Sequence, residues 1–118
     1  MHMHEYSVAR ALLRQVEEIR LAQQANRVQA IRICIGEFSG VEPELLQMAF
    51  DALAETAMSK TRLEMRRIAL TVRCDVCGHE QSVEKFRFEC SLCGSSSVTI
   101  TGGEELTLES VTLEQADP

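Results

Sequence analysis

Between Tyr6 and Gln24 apolar residues recur at helical spacing. Val8, Ala11, Leu12, Val16 and Ile19 form one stripe between charged positions such as Arg10, Arg14 and Glu18. That period predicts an amphipathic helix. Asn26 and Arg27 are expected to break it. Val28 to Gly36 then alternates, with Ile31, Ile33 and Ile35 on one face and Arg32 and Cys34 on the other, which predicts a strand. Gly36 and Ser39-Gly40 mark a turn. Glu42-Pro43-Glu44 opens a second helix, with proline in its first turn and acids at the positive end of its dipole; its buried stripe is expected at Leu46, Phe50, Leu53 and Ala57.

From Leu63 onward the alternation slips. Leu63 and Met65 share one phase, Ile68, Leu70 and Val72 the other, so Arg66-Arg67 reads as a bulge or bend. The last segment slips likewise, Leu106 and Leu108 against Val111 and Leu113. Two matching slips predict that these strands pair with each other and that the residues between them are an insertion. The expected fold is α+β: two helices packed on a small three-stranded mixed sheet, with an inserted four-cysteine zinc-ribbon domain. The division expected is residues 1–71 with 104–118 for the α/β domain and 72–103 for the ribbon.

The chain has 118 residues, which excludes two full-sized domains. Its formal charge of −6 argues against nucleic acid, which demands a basic face. No apolar run is long enough to span a bilayer, and residues 1–14 lack the pattern of a secretory signal, so no membrane association and a cytoplasmic location are expected. In that compartment five cysteines, an odd number, fit metal better than disulfides.

Cys74-Asp-Val-Cys77-Gly and Cys90-Ser-Leu-Cys93-Gly are two Cys-x-x-Cys knuckles, each followed by glycine. Such turns aim two sulfurs at one point, and a facing pair makes a closed tetrahedral site with no open position for a substrate water. The reading is structural Zn²⁺ on Cys74, Cys77, Cys90 and Cys93. A rubredoxin-type iron site usually spaces its knuckles farther apart, and a thioredoxin-like dithiol needs only one motif. A nucleic-acid ribbon is disfavoured by slightly acidic composition, so Lys85-Phe86-Arg87-Phe88 reads as an alternating strand rather than a base-stacking platform. His79 reads as an exposed turn residue and Cys34 as a small buried apolar one.

The start, Met1-His2-Met3-His4-Glu5, places two imidazoles and a carboxylate ahead of the first helix. Ni²⁺ and Cu²⁺ favour nitrogen-rich tetragonal sites of the kind that imidazole and backbone nitrogen supply. Taken together, Met3-His4-Glu5-Tyr6-Ser7 heading a helix, Ile35-Gly36-Glu37-Phe38-Ser39-Gly40-Val41 after a strand, and twin knuckles near the C-terminus resemble the HypA-type hydrogenase nickel-incorporation proteins (the HypA/HybF family) over essentially the whole chain.

The resemblance implies a nickel metallochaperone rather than an enzyme, delivering Ni²⁺ during maturation of [NiFe]-hydrogenase, with urease a secondary client. It places the nickel site on Met3, His4 and Glu5, with Glu42 as a further candidate; His2, ahead of the family's start, is a candidate on its own imidazole. It implies as partners a nickel-handling GTPase of HypB type and the hydrogenase large subunit; a homodimer is a further expectation. The chain itself has no Gly-x-x-x-x-Gly-Lys-Ser/Thr loop, in keeping with a separate GTPase. It departs from the family in having Met1-His2 ahead of the Met-His-Glu start. Translation begins at Met3, or the extension is an added remnant, or Met1 and His2 supply a substitute amine and imidazole. The alternative function is a zinc-ribbon interaction or nucleic-acid module without nickel.

Overall fold

A computed structural model describes residues 3–115, with side chains from His4 onward. His2 and the Met3 side chain, both named as nickel candidates, lie outside the described residues. The order is α1 (Met3–Ala22), β1 (Ala25–Gly36), α2 (Pro43–Leu53), a 3-10 turn (Thr56–Met58), β2 (Arg62–Ile68), β3 (Thr71–Cys74), β4 (Glu80–Ser82), β5 (Val98–Gly102) and β6 (Leu106–Gln115). By contacts the chain divides into two units, Met1–Cys34 with Val41–Arg66 and Thr107–Pro118, and Ile35–Gly40 with Arg67–Leu106. Among the described residues no helix is long and apolar enough to cross a membrane.

In the first unit α1 buries Glu5, Ala9, Leu12 and Val16, one residue per turn along a single stripe. The helix stops at Ala22, and Gln24 takes the left-handed conformation (φ 53°) that commonly closes a helix. The break therefore precedes Asn26, and β1 begins three residues before Val28. Helix α2 starts on Pro43 and buries Leu46, Ala49 and Phe50. The two helices pack on each other, and Ile31 and Ile33 are buried in the middle strand of a three-stranded sheet.

Its strand order is β2-β1-β6. The expectation that the strands at Leu63 and Leu106 pair with each other is corrected, because β1 lies between them. The reason is apolar content. Val28, Ala30, Ile31, Ile33, Cys34 and Ile35 are all buried, which suits a central strand, whereas β2 and β6 hold no fully buried residue and suit edges. The sheet is mixed. Thr61 Oγ1 donates to the Val28 carbonyl, Arg32 meets Glu64, and Cys34 meets Arg66, so numbering rises together along β1 and β2. Arg27 meets Glu114 and Arg32 meets Glu109, so β6 runs the other way.

The phase slip after Met65 has a different origin from the bulge expected. Residues 69 and 70 separate two strands, and Val72 belongs to β3, in a second sheet ordered β4-β3-β5. β3 pairs antiparallel with both neighbours. In this second unit Leu70, Val72 and Val83 form the core, with Phe88, Val98 and Ile100 packed against them. Lys85-Phe86-Arg87-Phe88 is not a strand. Lys85 and Phe86 both have positive φ (54° and 56°), which turns the chain sharply. Phe38 meets Phe86 and Phe88 with ring centroids 6.0 Å apart in each pair.

Candidate metal centres

β3 ends on Cys74, and the turn to β4 carries Cys77; Cys90 and Cys93 form a second turn ahead of β5. The four sulfurs lie within 4.8 Å of one another, with Cys74–Cys93 and Cys77–Cys90 at 3.5 Å. Four metal–sulfur bonds of about 2.3 Å at tetrahedral angles set sulfurs about 3.8 Å apart, so the cluster fits one tetrahedral ion.

The knuckles repeat one geometry. The N–H groups of Val76 and Cys77 approach Cys74 Sγ at 3.4 Å, and those of Leu92 and Cys93 approach Cys90 Sγ at 3.4 and 3.5 Å. Gly78 N–H donates to the Cys74 carbonyl and Gly94 N–H to the Cys90 carbonyl, both at 2.9 Å. These glycines have φ of +81° and +77°, a region any side chain would resist.

The backbone donors split the thiols. The Cys77 N–H is the main cause holding Cys74 down to about 6, and the Cys93 N–H lowers Cys90. At Cys93 the Ser95 N–H favours the thiolate, but hydrogen bonding with Cys74, burial and Cys90 outweigh it and push the thiol up to about 12. At Cys77 the His79 N–H is outweighed in the same way, by Cys90, burial and Cys74. Each 3.5 Å pair thus joins a sulfur that sheds its proton readily to one that keeps it. A divalent cation held by the four sulfurs would displace the retained protons.

Side chains that the sequence pattern does not single out hold this geometry. Gln81 Oε1 accepts from the Ser91 N–H at 2.8 Å and the Ser91 hydroxyl at 3.0 Å, while its Nε2 donates to the Glu89 carbonyl at 3.0 Å. It clips the second knuckle to β4. Asp75 accepts from the hydroxyls of Ser97 (3.2 Å) and Thr99 (2.7 Å), tying the first knuckle to β5. Replacing Gln81 by alanine is expected to destabilise the chain by about 1–2 kcal/mol, read as a lower unfolding midpoint in urea. His79 contributes its backbone, and among the described residues the four cysteines are the only group of three or more ligand side chains close enough to share an ion. Cys34 is buried as expected, yet its thiol faces charged groups: the Arg66 guanidinium at 3.2 Å and Glu109 at 3.5 Å.

The second candidate centre lies at the N-terminal ends of the two helices. His4 Nε2 is 2.7 Å from Glu5 Oε2, and the Glu42 N–H donates to that same oxygen at 3.2 Å. Glu5 is 1% exposed because it occupies the inward stripe of α1, one turn before Ala9. Its carboxylate faces the start of α2, where the helix dipole favours negative charge. His4 is half exposed. Glu42 joins through its backbone, and its own side chain is exposed. The structure thus brings His4, Glu5 and the Glu42 main chain together. The acid-only stripe position of Glu5, an acid at a core phase, was the available signal for its burial.

A family model described as hydrogenase/urease nickel incorporation, metallochaperone, hypA, matches residues 3–113. A hydrogenase maturation factor HypA from Nitrosospira multiformis is 43% identical over 112 residues, covering 94% of this chain and 97% of that protein. One from Aquifex aeolicus is 37% identical over 113 residues, covering 95% and 98%. The solution structure of the Ni metallochaperone HypA from Helicobacter pylori superposes with a TM-score of 0.67 at 27% identity, covering 98% of this chain and all of that one.

Proposed function

Because this chain belongs to the HypA family of hydrogenase/urease nickel-incorporation metallochaperones, we propose that it carries Ni²⁺ at its N-terminus and hands it on during [NiFe]-hydrogenase maturation. The family's work is metal delivery rather than catalysis. The observation that carries the reading is the His4–Glu5 pair, held at the start of α2 by the Glu42 N–H. His4 is the imidazole donor. Backbone nitrogens of a helix's first turn take no part in the helical ladder, so ligating them costs the helix no bond. Imidazole and amide nitrogens make the tetragonal donor set that nickel prefers. The Met3 main-chain nitrogen and the His2 imidazole add donors, and Glu5 and Glu42 add negative charge beside the ion.

The four thiolates of Cys74, Cys77, Cys90 and Cys93 hold Zn²⁺, which would supply a fixed cross-link and no reactive position. The ribbon, residues 72–103, serves as the zinc domain, and residues 1–71 with 104–118 as the nickel domain. Ligand exchange at a docked partner completes delivery. The partners are a nickel-handling GTPase of HypB type and the hydrogenase large subunit, with self-association as a homodimer, all in the cytoplasm.

A calorimetric nickel titration of the zinc-loaded chain tests this. Chains beginning at Met1 and at Met3 are expected to bind one equivalent each, and His4→Ala to abolish binding in both. A difference between the two starts reports on the terminal amine. Failure of both chains to bind nickel would leave a zinc-ribbon interaction module in its place.

A further inference from the structure

An open groove of about 550 Å³ runs along α1 on the first unit, away from His4 and Glu5 in sequence. Its floor is apolar: Leu13 from α1, Leu53 at the end of α2, and Ala57 with Met58 from the 3-10 turn. Met58 is buried, and the other three are half-buried. Arg10 and Arg14 stand on the α1 wall and are exposed. Glu17 also lines the groove, but it is engaged by Arg20, which in turn donates to the Ala25 carbonyl. Glu55 is the remaining acid at the rim.

Arg10 and Arg14 are four residues apart on one helix, a like-charge spacing that opposes helix formation. Among the described residues no ion pair engages either guanidinium, although the chain carries a net charge of −6 and acids are abundant elsewhere. In the sheet Arg27, Arg32, Arg62 and Arg66 each meet a glutamate, and Arg67 of β2 is the strand arginine there that, like Arg10 and Arg14, has no ion pair among the described residues. Two exposed cations held beside a solvent-facing apolar floor, on an otherwise acidic chain, are complementary to a surface carrying carboxylates beside apolar side chains. From Arg10 to Arg20 the α1 wall rises about 15 Å, the length of roughly three helical turns.

We propose that this groove is a docking site for an acidic amphipathic helix of a partner protein, with apolar side chains on Leu13, Leu53 and Met58 and carboxylates on Arg10 and Arg14. This is helix-in-groove recognition with charge setting the partner. The proposal goes beyond nickel binding and stands or falls apart from it, since neither arginine lies at the nickel centre.

The test uses the full zinc-loaded chain and two labelled synthetic peptides of identical leucine pattern, one with glutamates on the polar flank and one with lysines, followed by fluorescence anisotropy. The glutamate peptide is expected to bind and the lysine peptide not. Arg10→Glu/Arg14→Glu should weaken the glutamate peptide about tenfold or more and confer binding of the lysine peptide, and Arg10→Gln/Arg14→Gln should lose the first without gaining the second. Unchanged nickel stoichiometry and far-UV CD would show that the variants fold and keep the metal function. Equal binding of both peptides, insensitivity to the charge reversal, or no binding of either would overturn the proposal. So would sedimentation showing that the native chain covers the groove with a second copy and that Arg10→Glu/Arg14→Glu releases monomers.

Discussion

Cys74→Ala or Cys93→Ala is expected to unfold the ribbon while α1, α2 and the β2-β1-β6 sheet stay formed. The second unit's own core is small, three buried residues with three partly buried ones packed on them. A segment of that size depends on its metal, and structural zinc in comparable finger peptides contributes about 10–16 kcal/mol of apparent free energy at neutral pH. Removing one sulfur leaves three ligands and breaks a knuckle. The first unit keeps its own core of Phe50, Leu46, Ile31, Ile33 and Val16, none of which the substitution touches. Zinc content should fall below one equivalent, and amide NMR signals of the ribbon should collapse to unfolded shifts while those of α1 and α2 hold theirs. Loss of the helical signals in the same step would show that the two units do not fold separately. Chelator treatment of the native chain should reproduce the variant.

Gly36→Ala is expected to destabilise the second unit by about 3 kcal/mol, the upper end for overpacking, read as a fall of at least about 12 °C in its unfolding midpoint. A Cβ on Gly36 would sit 2.2 Å from the Gly103 carbonyl oxygen and 2.9 Å from its Cα. Both are backbone atoms, so no side chain can rotate away. The Gly103 carbonyl also accepts from the Phe38 N–H at 2.7 Å, and Gly36 N–H donates to Glu105 at 2.8 Å, so separating the two glycines strains bonds that fix both strands. A Gly36→Ala chain with native stability would mean that this crossing is looser than its hydrogen bonds require.

The amphipathic periods were legible. Both helices and the isoleucine face of β1 follow from spacing, and the knuckles from their cysteines, although Ala11 of the expected α1 stripe is exposed and Ala57 lies beyond the end of α2. What escaped was whatever depends on non-local pairing or unmarked backbone. Gln24, Lys85 and Phe86 adopt positive φ without being glycine, so no residue type announces the end of α1 or the turn that replaces the expected strand. The order β2-β1-β6 rewards the strand with most buried apolar residues, whereas matching phase slips misled because one of them was a boundary between two sheets. At the sites, the ligand candidates His4 and Glu5 were visible as residue types. The burial of Glu5, its bond to the Glu42 main chain and the Gln81 clip required the packing of α1 on α2 and of β4 against the second knuckle.

X-ray absorption at both metal edges, on the chain loaded with one equivalent each of zinc and nickel, tests the central claim of two separate centres most directly. Zinc is expected with four sulfur neighbours at about 2.3 Å and nickel with nitrogen and oxygen neighbours alone, the nickel signal vanishing in His4→Ala. Sulfur in the nickel shell, or zinc losing sulfur as nickel is added, would contradict it.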